Sequence, residues 1–147
     1  MSLAAKLRRA PGRIAAGVFL LNAGTGKVRS KSEEQAKGIH GMAAGAYPFL
    51  AHVEPKLFFK ALGAAETVLG AALLLPLVPA GLAGLGVTGF GGGLLGVYVR
   101  TPGMHDDKWR PTQQGTPIAK DVWLTAIGVG LVIDAALSES SKSGTKA

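Results

Sequence analysis

The sequence predicts an all-α, polytopic membrane protein, a bundle of four transmembrane helices, and three observations carry that prediction. Only 17% of the 147 residues are charged and 48% are hydrophobic, with a mean hydropathy of +0.30; an ordinary soluble domain is about 25% charged. The 39 residues from Ala61 to Val99 hold a single charge, that of Glu66. A bilayer's hydrocarbon layer takes roughly 20 helical residues to cross, so this block is about two crossings long. Pro76 and Pro79 break it near its middle, because proline lacks a backbone donor and disfavours helix just before itself. The length suits one domain.

In chain order, residues 1–12 form a basic N-terminal segment and 13–137 a four-helix transmembrane domain. The first span, about 13–28, has Pro11 near its start, where a missing N–H is harmless. Lys6, Arg8 and Arg9 before an apolar stretch also suit a signal peptide. That stretch lacks a small-x-small cleavage site and runs straight into Lys27, Arg29 and Lys31, so an uncleaved helix is expected. Residues 30–56 are a charged stretch followed by a half-apolar one with Tyr47, Pro48 and two histidines. This part is too short to cross, and reads as an interfacial amphipathic segment or a hairpin packed on the bundle. The second and third spans, about 57–78 and 80–98, are joined at the prolines. A hydrophilic loop follows from Arg100 to Thr116. The fourth span, about 118–137, places Trp123 where an interfacial aromatic belongs. Residues 138–147, SESSKSGTKA, read as a disordered tail.

Helices in lipid associate by close packing, which small residues permit. Ala80, Gly84, Thr88, Gly92 and Gly96 recur every four residues, with Gly89 and Gly93 beside them. Ala126 and Gly130 repeat the device in the fourth span, and Gly63, Thr67, Gly70 and Ala71 in the second. Helix packing through Gly84, Thr88, Gly92, Gly96 and Gly130 is therefore expected, and it accounts for much of the glycine count of 22. The run Gly84 to Gly89 fits G-x-G-x-x-G, but that pattern has meaning only between a strand and a helix. Gly24-Thr25-Gly26-Lys27 resembles the end of a P-loop, yet Val28 stands where a magnesium-binding hydroxyl belongs.

Glu66 is the anomaly. In a helix starting at Leu57 it lies near mid-bilayer, where an ionised carboxylate costs roughly 2.5–3.5 kcal/mol or more, so it should face the interior and be protonated or partnered. Asn22, Thr88 and Thr125 lie at broadly similar depth on the other spans, and Lys27 is the nearest cation. Together they form a candidate intramembrane polar site: a proton-carrying or ligand-binding pocket, or an interhelical clamp. Asp121 and Asp134, near the two ends of the last span, read as structural. His40, His52 and His105 have no helical pairing and no thiols to support them, since Cys is absent, so no metal is expected. Lys6, Arg8, Arg9, Arg13, Lys27, Arg29 and Lys31 read as contacts to lipid headgroups rather than to nucleic acid. Four spans would leave six Lys and Arg on the side of the termini and ten on the other, with orientation open.

The run Arg13 to Lys27, RIAAGVFLLNAGTGK, resembles the opening of DoxX-type membrane proteins. Ala64-Ala65-Glu66-Thr67-Val68-Leu69-Gly70 is similar to that family's segment in which a glutamate precedes a Gly- and Leu-rich stretch, and Lys120-Asp121-Val122-Trp123-Leu124 fits its last helix more loosely. The loops 30–56 and 101–116 match no family element. The resemblance implies a four-helix integral protein of the bacterial plasma membrane, in a group some of whose members are associated with quinone-linked sulfur oxidation or with assemblies handling oxidative stress. Asn22, Lys27 and Glu66 stand on matching positions. With no cofactor motif and no acid, base and nucleophile cluster, the first expectation is a non-catalytic accessory or scaffold subunit of a membrane redox assembly, docked on a membrane-protein partner or a second copy. The alternatives are a quinone-interacting oxidoreductase subunit with Glu66 as proton acceptor, and a small permease or lipid-handling protein. Only the second would take a cofactor, a quinone.

Overall fold

The computed structural model describes residues 3–144, with side chains through Ser138. The described residues form six α-helices and one short 3-10 helix, with no named strand. The order is α1 (Leu3–Arg29), α2 (Glu33–Ala46), the 3-10 turn Pro48–His52, α3 (Pro55–Leu74), α4 (Ala80–Arg100), α5 (Thr116–Ala119) and α6 (Asp121–Gly144). Three segments are long and apolar enough to cross a membrane: Pro55–Leu74, Ala80–Arg100 and Thr116–Ser138. α1 is 27 residues long, but only the 13 from Ile14 to Gly26 are free of charge. The described residues are thus all-helical, with three helices long and apolar enough to cross a membrane.

Local chemistry explains the boundaries. Ser32 caps α2 by accepting from Gln35 N at 3.2 Å, and Glu33 and Glu34 complement the dipole in its first turn. Exposed Glu33 is also 2.5 Å from Lys56, a donor that holds its carboxyl below the usual range. Glu54 caps α3 through Lys56 N and Leu57 N at 3.0 and 2.8 Å, with Pro55 in the first turn. α3 stops at Leu74, short of the expected 78, because Leu75 precedes Pro76 and is extended at φ −77°, ψ 120°. Pro11 lies inside α1 and not at its start. The helix is prolonged upstream through Ala4, Ala5, Lys6 and Leu7, all good helix formers, and held there by Arg8 and Arg9 on Asp134 of α6. α6 continues through Gly144, seven residues into the segment expected to be disordered; Thr145–Ala147 lie outside the described residues.

Packing is organised in two antiparallel pairs, α1 with α3 and α4 with α6, and the two pairs touch one another much less. Each pair closes on glycine. A Cβ at Gly24 would lie 2.5 Å from Gly63 O, and one at Gly70 would lie 2.5 Å from Leu21 N. In the second pair a Cβ at Gly84 would be 2.7 Å from Gly128 O, and one at Gly128 would be 2.7 Å from Thr88 N. Of the five expected packing residues, Gly84 and Thr88 lie in this seam. Gly96 instead makes room for the Tyr47 hydroxyl, and at Gly92 and Gly130 a Cβ would meet nothing within 4 Å. The reason is angular. At 100° per residue a step of four overshoots one turn by 40°, so Gly92 is 80° around the helix from Gly84 while Gly91 is within 20°. Gly91 is indeed the buried one, set against Thr125.

Arg8, Arg9 and Arg13, near the start of α1, have partners within the protein. The Arg13 guanidinium donates to the carbonyls of Leu73 at 2.7 Å, Ala72 at 2.9 Å, Leu75 at 2.8 Å and Val78 at 3.1 Å. It thereby satisfies carbonyls that the end of α3 and the proline turn leave without helical partners. Arg9, 6% exposed, donates to the Asp134 carboxylate and at 2.9 Å to Ser138 Oγ.

Candidate functional site

Because the two helix pairs meet only sparingly, a cavity of about 540 Å³ remains between them, roofed by α2 and the 3-10 turn. Its walls are apolar, including Phe19, Leu20, Phe58, Phe90, Leu94 and Leu124. Its polar groups are few: Lys27, Glu66, Lys120, Asp121 and Tyr47. This volume falls within the roughly 300–1,000 Å³ usual for small-molecule sites, and apolar lining with sparse polar groups is their usual composition.

Glu66 reaches the cavity from α3, 6% exposed. Its partner is delivered by the glycine seam. A Cβ on Gly63 would lie 2.7 Å from Lys27 Cβ, so the lysine stem rests against bare backbone and its ammonium falls one turn further along α3. Lys27 Nζ donates to both carboxylate oxygens of Glu66, at 2.9 and 2.8 Å. The lysine side chain stays 20% exposed and the glutamate 9%, so this is a largely desolvated pair. A lone buried charge costs several kcal/mol, and pairing offsets that only with good geometry, which the two short contacts supply.

The other polar residues picked out in the sequence go elsewhere. Asn22 lies on the exposed face of α1 and does not line the cavity. Thr88 and Thr125 lie in the α4–α6 seam, where each hydroxyl donates to its own helix: Thr88 to Gly84 O at 2.8 Å and Thr125 to Asp121 O at 3.0 Å. Such a bond uses the hydroxyl's one proton, and neither threonine lines the cavity. Of the candidate polar group Glu66, Asn22, Lys27, Thr88 and Thr125, the fold brings together Lys27 and Glu66.

Three polar cavity residues, Asp121, Lys120 and Tyr47, were not read as site residues. Asp121, the first residue of α6, is 9% exposed and lines the cavity. Among the described residues its carboxylate receives no hydrogen bond or ion pair. Its neighbour Lys120 makes no ion pair with it and acts on it through space, with Nζ 5.0 Å from the Phe19 ring centroid. Tyr47 latches the roof to α4: its hydroxyl donates to Gly93 O at 2.9 Å, and the Arg100 guanidinium lies 4.9 Å over its ring. Neither role has a local sequence signal, since an aspartate opening a helix is ordinary capping chemistry and Tyr47 depends on the absence of a side chain at Gly96.

The histidines are dispersed. His40 Nε2 is 2.9 Å from Leu50 O, His105 stacks on Trp109 at 4.4 Å, and His52 is exposed. Among the described residues no three His, Asp or Glu side chains gather as metal ligands. Compared with known proteins, the chain matches no family model, no curated protein and no solved structure.

Proposed function

We propose that this is a four-span, DoxX-like integral membrane protein whose cavity binds a small, lipid-soluble amphipathic molecule, in keeping with the lipid-handling expectation. The observation that carries the reading is the combination of an apolar cavity of about 540 Å³ with a buried Lys27–Glu66 pair in its wall. A cavity between two tightly packed helix pairs is an uncommon arrangement for a mere scaffold, because filling it with side chains would stabilise the bundle. The close-packed glycines Gly24, Gly63, Gly70, Gly84 and Gly128 are occupied within the chain. α1 counts as the fourth span because the charges that shorten its apolar stretch are answered internally, Arg13 by α3 carbonyls and Lys27 by Glu66. The pairing of Lys27 with Glu66, two of the positions that carry the DoxX resemblance, supports that kinship.

The test is extraction. The protein purified in mild detergent should retain a specific lipid-soluble molecule, detected by mass spectrometry of the organic extract. Gly89→Phe puts a ring into the cavity at a position where a Cβ meets nothing within 4 Å, so the variant should fold and lose that molecule. Identical extracts from both proteins would defeat the proposal. A quinone as the retained molecule would favour the redox alternative.

A further inference from the structure

Resting on the pocket reading, we infer that the cavity selects an occupant with a cationic, hydrogen-bond-donating head, an ammonium on an apolar chain, and that Asp121 receives that head. Two carboxylates line the cavity. Glu66 is already met at both oxygens by Lys27. Asp121 is 9% exposed and lines the cavity, and its carboxylate receives no hydrogen bond; Lys120 and Lys27 act on it only through space. A buried carboxylate is an acceptor only, and leaving it unpaired is costly. A donor brought in by the occupant removes that cost, and a charged donor does so most strongly.

All the charged groups facing the cavity bear on the sign of the head. They are Lys27 from α1, Glu66 from α3, and Lys120 and Asp121 at the start of α6. Lys27 is committed to Glu66, so the pair contributes little net field. Lys120 is exposed, with its ammonium over the Phe19 ring at 5.0 Å, and reaches water where Asp121 does not. An anionic head entering beside Asp121 would bury a second negative charge against the first. An ammonium head finds a carboxylate at the polar end, with the aromatic and leucine walls taking the chain. The Phe19 ring is itself a surface that accepts a cation.

The experiment compares three single-chain probes that differ only in their heads: laurylamine, lauryl alcohol and laurate. Binding is read by native mass spectrometry in uncharged maltoside micelles. The native protein should bind laurylamine about tenfold or more tighter than laurate, the range expected of a charge-assisted hydrogen bond. In Asp121→Asn the two should come within about threefold of each other, while lauryl alcohol changes little. Asp121→Glu should keep the preference, as should Lys120→Gln. Equal binding of amine and laurate by the native protein, or an amine preference that survives Asp121→Asn, overturns the assignment of the head group. The pocket itself is tested separately by Gly89→Phe: loss of all three probes upholds it even where the head preference fails, and unaltered binding of all three removes both.

Discussion

The α1–α3 and α4–α6 pairs solve one problem with the same backbone and different side chains. Both are antiparallel and both bring main chains together at glycines: Gly17 and Gly24 against Gly70 and Gly63 in the first, seven residues apart on each helix, and Gly84 and Gly91 against Gly128 and Thr125 in the second, seven apart on α4. The second seam contains no charge: its hydroxyls, Thr88 and Thr125, are turned back on their own helices. The first seam carries Lys27 and Glu66 at the cavity and Arg13 at the far end. Close packing of small residues is thus sufficient to join two helices here, as expected in lipid. The ionic groups of the first pair must be explained by where they sit, in the wall of the cavity and at the proline turn.

Separating the two kinds of contact is the way to sharpen this contrast. Lys27→Ala or Glu66→Ala leaves a buried partner alone and should destabilise by about 3 kcal/mol, the low end of the usual 3–5 because the lysine is partly exposed. A double replacement, Lys27→Met with Glu66→Leu, should recover most of that, measured as thermal unfolding in micelles. If the double variant is as unstable as the singles, the pair is needed for helix association and the contrast fails. Gly70→Leu and Gly128→Leu push side chains into opposing backbone and should each cost about 1–3 kcal/mol, alike in the two pairs. A large cost in only one would show that the seams are not equivalent. Thr88→Val and Thr125→Val remove self-satisfied hydroxyls and should cost at most about 1 kcal/mol. Gly92→Ala and Gly130→Ala enter open space and should stay within about 0.5 kcal/mol in the same assay.

How much of this was written in the sequence depends on whether one helix or two were needed to see it. The apolar segments and the proline break are properties of single stretches, and they emerge close to their expected places. The Pro76 effect even sets the end of α3, once the restriction on the preceding residue is applied at Leu75. Glu66 and Lys27 were visible as an acid and its nearest cation, because a charge in an apolar block needs an answer wherever it comes from. Asn22 shared their approximate depth but not their face, and depth alone does not fix rotation about the helix axis. The same blindness put Gly92 and Gly130 in the packing stripe, through a period of four applied to a helix of 3.6. Arg13 was read as a headgroup contact since its true partners are carbonyls 59 to 65 residues away, which no local pattern encodes. Asp121 escaped for a like reason: the cavity it lines is walled by residues of α1, α3 and α4, far from it in sequence.

The grip of Arg13 on the proline turn has a consequence for how the chain is made. Synthesis runs from the N-terminus, so α1 leaves the ribosome while the carbonyls of Leu73 and Leu75 and the carboxylate of Glu66, 39 residues beyond Lys27, are still untranslated. During that interval Arg13 and Lys27, which flank its apolar stretch, have only water and phospholipid to face, and the helix is a poor candidate for settling in the translocon exit by itself. With α1 as the proposed fourth span, its integration is expected to wait on the arrival of α3, the two entering the lipid together as a hairpin-like unit.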